Sequence, residues 1–128
     1  MDRRIVNPWK WQDQYGFVEA NDISDVQRMV MCSEQVYVDD EENPGDMAAQ
    51  FNQVFGNIDT VLEESDLSLA DVVRLSYYTT DISAFMEAGP VLAKRLDKAG
   101  CRPASTLLGV AALFHPDIIV EIEATAAV

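Results

Sequence analysis

With 128 residues, 48% of them hydrophobic and 9% aromatic, the chain has material for one packed core and too little length for two, which excludes a multidomain reading and wholesale disorder. Its 22 acidic side chains against 9 basic ones give a formal charge of −13, a surface that repels phosphate backbones and disfavours nucleic-acid binding. Residues 1–128 are therefore read as a single domain.

The basic start, Met1 to Pro8, is not followed by an apolar run of about 7 to 15 residues, so no secretory signal is expected. Residues 4–7 and 17–20 are weak strand candidates, and Val26 to Ser33 is a stronger one. Trp9 and Trp11 bracket Lys10 and either line a cleft or pin the N-terminal arm to a neighbour. Cys32 and Cys101 are isolated, with no CxxC spacing, and the longest nearly apolar run, 107–114, is too short for a bilayer. These features predict reduced thiols, no membrane partner and a cytoplasmic setting. Asp39-Asp40-Glu41-Glu42-Asn43-Pro44-Gly45 reads as a solvated loop, because consecutive acids without a turn do not converge on one cation.

From Asp46 as N-cap, Met47, Phe51, Val54, Phe55, Ile58, Val61 and Leu62 recur every three or four residues, which predicts a helix with one apolar face. Gly56 inside it costs about 1 kcal/mol relative to Ala. Residues 71–79 alternate instead: Val73, Leu75 and Tyr77 share one face, Arg74 and Ser76 the other, as in a strand with one core side. A second helix opens at Asp81, is interrupted at Gly89-Pro90, restarts with Pro90 in its first turn and stops at Gly100. Two more strands are predicted over Pro103 to Val110 and Ile118 to Ala127, the latter placing Ile118, Val120 and Ile122 on one face and Glu121 and Glu123 on the other. The order β-β-β-α-β-α-β-β predicts an α+β fold, a mixed sheet with two helices packed on one face and a polar opposite face.

Several segments then resemble a known family: Gly45-Asp46-Met47-Ala48-Ala49-Gln50, Asp71-Val72-Val73-Arg74, Thr80-Asp81-Ile82, Arg102-Pro103-Ala104, and above all Gly109-Val110-Ala111-Ala112-Leu113 with Val120-Glu121-Ile122-Glu123-Ala124. Over roughly residues 15–128 the chain resembles the Rid (YjgF) family, also labelled L-PSP endoribonuclease-like. The resemblance implies a chorismate-mutase-like fold and a homotrimer whose sheets meet around a central barrel. Three small-molecule clefts would lie between subunits, and the barrel would enclose the polar sheet face. Buried charges need partners, so Arg74 is expected to pair with Glu121 or Glu123 within or across subunits.

The family's best-known activity implies hydrolysis of an enamine or imine, such as 2-aminoacrylate, to a keto acid and ammonia. No cofactor and no metal are expected. In active members an Arg two residues after the Pro of a Pro-Ala-Arg stretch clamps the substrate carboxylate; here that position is Ser105. On an extended chain Arg102, three residues earlier, faces the other way, and could serve only through a bulge or a register change. Glu121 matches the family's acidic residue on the last strand, where it either orients water or pairs with Arg74; Glu123 is expected in the polar network of the barrel. Glu121 and Ser105 are the candidate catalytic residues.

The candidate ligand-binding residues are Phe17, where many members have Tyr; Ser33, with Glu34 in place of a turn glycine; Leu107, where active members often have Cys; and Arg102. Two functions follow as expectations: a hydrolase acting on an imine or related C–N bond, or a non-catalytic trimer binding a less charged metabolite. A ribonuclease role is disfavoured by the charge and by the lack of a histidine pair, since His115 is the sole histidine and sits in an expected surface turn.

Overall fold

The computed structural model describes residues 1–36 and 45–128, so most of the expected acidic loop lies outside the described residues. Strands β1 (Asp2–Val6) and β2 (Ala20–Ser24) form an antiparallel pair of their own. Strands β3 (Met29–Gln35), β4 (Val72–Thr79), β5 (Ala104–Gly109) and β6 (Val120–Ala127) form a second sheet in the order β3-β6-β4-β5. It is a mixed sheet: β4 and β5 are parallel, while β6 runs antiparallel to both β3 and β4. Helix α1 (Met47–Glu63) lies between the edge strand β3 and the inner strand β4 in chain order, and α2 (Ile82–Glu87) and α3 (Gly89–Ala99) make the crossover between the parallel strands. The expected interruption is real, with Pro90 in the first turn of α3 and Gly100 closing it at φ 66°.

The Asp46 side chain caps α1 by accepting the Ala49 N–H at 3.0 Å. Behind that cap Phe51, Val54, Phe55, Ile58 and Leu62 are fully buried, and with Leu75, Ile122, Ala124 and Ala126 they form the core. Each of the large side chains among them contributes roughly 1.5–3 kcal/mol through burial. No helix among the described residues is long and apolar enough to cross a membrane.

Register sorts the sheet into two faces. On the helix side Leu75 lies opposite Ala124 and Ser105, and Tyr77 opposite Ile122 and Leu107. On the open side Ser76 lies opposite Glu123 and Thr106, and Tyr78 opposite Glu121 and Leu108. Within the subunit the expected pairing of Arg74 with a β6 carboxylate does not form. Arg74 sits opposite Thr125, two positions along from Glu123, and its guanidinium donates to Thr106 Oγ1 at 2.7 Å. Glu123 instead accepts from the Tyr78 hydroxyl at 2.7 Å.

The N-terminal strands depart from the sequence reading. β2 begins at Ala20, where the expected strand ended, and Val18 makes only a single parallel bridge to Ala104. The cause is the preceding 3-10 turn, Trp11–Tyr15, which ends at Gly16 with φ 78°. A Cβ there would stand 3.1 Å from Ala93 Cα and 3.3 Å from Leu96 Cδ1, so glycine is needed both for the left-handed backbone and for the close approach to α3. Asn21 then ties β2 to the main sheet, its amide donating to Val73 O at 2.8 Å and Arg102 O at 3.0 Å. Cys32 and Cys101 are both buried and free, and burial pushes the Cys101 thiol up to about 12.

Candidate functional site

Two cavities flank the main sheet, one on each face. The first, about 410 Å³, lies on the helix side, between the 3-10 turn, α2, α3 and the β4–β5 pair. Trp11, Tyr15 and Phe17 form its outer wall, and the buried Tyr77 and Phe85 close it from within. Trp11 meets Phe17 edge to face, with centroids 5.6 Å apart and planes at 75°, and Tyr77 meets Phe85 in the same manner at 5.3 Å and 64°. Ser105 and Leu107, two apart on β5, share this wall. The Ser105 Oγ is shielded from solvent without a well-formed hydrogen bond, and the Tyr77 hydroxyl is the polar group facing it. Among the described residues no charged side chain lines the cavity.

The second cavity, about 340 Å³, lies on the open face and is lined by Glu34, Tyr78, Glu121 and the loop 110–114. Glu121 is only 6% exposed, and its Oε1 accepts the Phe114 N–H at 2.9 Å. Glu34 reaches it because the β3–β6 register slips: Cys32 is paired with Ala124 and Gln35 with Ile122, so three steps on β3 span two on β6. Burial, the hydrogen bond to Glu121 and then the charges of Glu121 and Glu123 hold the Glu34 carboxyl above its ordinary range.

Gln50 holds the loop that carries Phe114. Buried on α1, it donates from Nε2 to Asp117 O at 3.0 Å and to Gly45 O at 3.2 Å, and its Oε1 accepts the Ile119 N–H at 3.0 Å. His115 stays within its own turn, where Nδ1 accepts the Asp117 N–H at 3.2 Å.

The structure thus brings Phe17, Ser105 and Leu107 together, and separately Glu34 and Glu121. Ser105 and Glu121, paired as candidate catalytic residues, lie on opposite faces of one sheet within a subunit. Ser33 is exposed on β3 and Arg102 is exposed on the approach to β5; neither lines either cavity. The Arg102 carbonyl accepts from Arg3 at 2.6 Å, which fixes its backbone while leaving its side chain outside. Sequence reasoning assigned Tyr77 to the core face of its strand and passed over Tyr15 and Phe85. The three aromatic residues within positions 11–17 were the available signal for the wall they form.

Because the Glu34 pKa is raised in the folded state, its protonation favours folding: the contribution is full below the ordinary glutamate value of 4.5 and is lost as pH rises through the raised value. The melting temperature of the native protein relative to Glu34→Gln is therefore expected to fall as pH rises from 4.5. A difference that stays flat or rises across that range, read by differential scanning fluorimetry, contradicts the carboxyl pairing.

Comparison with known proteins agrees with this geometry. The model of the family described as Endoribonuclease L-PSP matches residues 16–128. A RutC family protein from Pyrococcus abyssi is 30% identical over 104 residues, 79% of this chain and 80% of that one. The crystal structure of a Rid-family protein from Yersinia pestis aligns over 100% of both chains with a TM-score of 0.87 at 31% identity. That of Escherichia coli TdcF with bound serine aligns over 95% of this chain and 89% of that one, with a TM-score of 0.72 at 25% identity. The α+β architecture expected from the sequence is the one these structures share, and the chain belongs to the L-PSP endoribonuclease, or Rid/YjgF, family.

Proposed function

We propose that this chain works as a homotrimer that binds a small molecule between subunits and hydrolyses a C=N bond in a substrate with no free carboxylate. One observation carries the reading: among the described residues no cation lines either of these two cavities, so neither the aromatic cavity nor the one beside Glu121 offers a clamp for a carboxylate within the subunit. Ser105 and Glu121 cannot meet within one subunit, and a neighbouring copy supplies the arrangement in which the aromatic cavity of one protomer faces the Glu34–Glu121 edge of the next. The open face supports such an assembly, with Met31 78% and Phe114 86% exposed on it or at its rim.

In the proposed reaction water attacks the imine carbon while Glu121, held by the Phe114 N–H, accepts its proton. Glu34, hydrogen-bonded to Glu121, delivers a proton to the nitrogen. Glu121 then passes its new proton to that nitrogen while Glu34 takes the hydroxyl proton; collapse of the tetrahedral carbinolamine expels ammonia, leaves the carbonyl and restores both carboxyls, so that imine plus water become ketone plus ammonia. Serine bound to TdcF carries a carboxylate, and the neutral Ser105 hydroxyl offers no charged partner for such a group.

The test offers 2-aminoacrylate and the N–H imine of acetophenone to protein whose mass by light scattering is three times 14.2 kDa. Expected are no rate above buffer for 2-aminoacrylate and a Glu121→Gln-sensitive rate for the neutral imine. Wild-type turnover of 2-aminoacrylate, or a stable monomer, removes the reading.

A second reading, a binding trimer without catalysis, is favoured by Glu34 standing against Glu121, which engages the carboxylate that would otherwise position water. In that case the neutral imine is not turned over, while neutral ligands still raise the melting temperature by mass action. The ribonuclease name of the family is not carried over, because a charge of −13 repels RNA and His115 is the only histidine.

A further inference from the structure

The cavity on the helix face is specific about what it can hold. Its wall is aromatic, and its rings meet edge to face, with Trp11 against Phe17 and Tyr77 against Phe85, an arrangement that presents both faces and edges to an inserted ring. Its volume of about 410 Å³ exceeds by more than twofold the roughly 150 Å³ apolar cavity that accepts benzene, so a substituted or two-ring molecule has room. Trp11 and Tyr15, 54% and 41% exposed, stand at the rim with apolar surface left uncovered. The polar side-chain atom on the β5 wall, Ser105 Oγ, is shielded from solvent without a well-formed hydrogen bond and faces the Tyr77 hydroxyl, so a ligand substituent can join that pair. A charged ligand would lose its hydration there and meet no counter-ion.

We propose that this cavity binds a neutral aromatic small molecule carrying one hydrogen-bonding substituent, a carboxamide, phenol or indole N–H, directed at Ser105 Oγ. The inference rests on the reading of this cavity as the small-molecule half of the intersubunit site, and it names the ligand chemistry of that half. Ser105 can donate or accept, so either polarity of substituent is served. The ring supplies the apolar burial, and the substituent fixes its direction.

The chain has 2 tryptophans, so in a Trp9→Phe background Trp11 alone reports on the cavity mouth. Benzamide, benzoate and fluorobenzene are titrated against this protein by fluorescence, and the affinities are confirmed by calorimetry. Expected is benzamide binding at least about tenfold more tightly than its charged isostere benzoate. Ser105→Ala should weaken benzamide about fivefold to tenfold and leave fluorobenzene within about twofold.

Benzoate matching benzamide, or Ser105→Ala weakening benzamide and fluorobenzene alike, overturns the proposal. So does a trimer that refuses benzamide and fluorobenzene at millimolar concentration, the result expected if a neighbouring subunit's side chain fills the cavity; the intersubunit reading would survive that outcome. A monomer that binds benzamide with the expected preference has the opposite meaning: the assembly reading fails and the ligand class stands.

Discussion

Ser105→Arg is expected to raise affinity for 2-oxobutyrate by about a hundredfold or more and to bring measurable hydrolysis of 2-aminoacrylate. A guanidinium at this position enters a cavity in which no described lining residue carries a charge, and makes two parallel hydrogen bonds to a carboxylate, each contributing roughly 1.5–3 kcal/mol. Part of that gain is offset by desolvation of the guanidinium. The loss is limited because the aromatic wall of Trp11, Tyr15 and Phe17 offers ring faces on which the cation can stack. About 3 kcal/mol remains, which corresponds to about two orders of magnitude in binding. Ser105→Lys should gain less, since an ammonium is a point charge without the planar fork. The measurement is calorimetry with 2-oxobutyrate beside the coupled aminoacrylate assay. Unchanged affinity in a variant with native circular dichroism and melting temperature would mean that position 105 does not face the ligand.

The second large effect is on stability and reaches the site through the backbone. Gln50→Leu should destabilise the fold by about 3 kcal/mol, a drop of roughly 10 °C in melting temperature for a chain of this size. Leucine fills the space but strands the Ile119 N–H and the Asp117 carbonyl, two groups that the buried amide satisfies together. Each unsatisfied buried group costs about 1–3 kcal/mol. Gln14→Leu is the control, because Gln14 is exposed; its effect should stay within about 0.5 kcal/mol. The same substitution should speed hydrogen exchange at the Phe114 N–H, because the loop that aims this donor at Glu121 is tied to α1 through Gln50. Native-like exchange there in the folded variant would show that the loop holds its shape without the amide.

The legibility of this chain followed the length scale of the forces involved. Helix α1 and strands β4 and β6 were readable because burying one face imposes a period of 3.6 or 2 on neighbouring residues; Asp46 to Leu62, and Val73, Leu75 and Tyr77, carry those periods openly. Strand β2 was not, because Asn21 supplies its contact with the main sheet through hydrogen bonds to Val73 and Arg102, and a polar inward residue erases the alternation.

At the site, the sequence by itself determined which groups are present: Ser105 two residues after Pro103, Glu34 beside Ser33, and the aromatic residues within positions 11–17. Only the tertiary structure decided which of them lie together. The pairing of Leu75 with Ser105, and of Tyr78 with Glu121, puts the two candidate catalytic residues on opposite faces, and the register slip between Cys32 and Gln35 turns Glu34 rather than Ser33 toward Glu121. A bulge adds one residue to one strand and has no signature in local composition. The aromatic cavity is likewise a space between the 3-10 turn, α2, α3 and β5, set by the packing distances of elements remote in sequence, and hydrophobic periodicity records which residues are buried but not the gaps that remain between them.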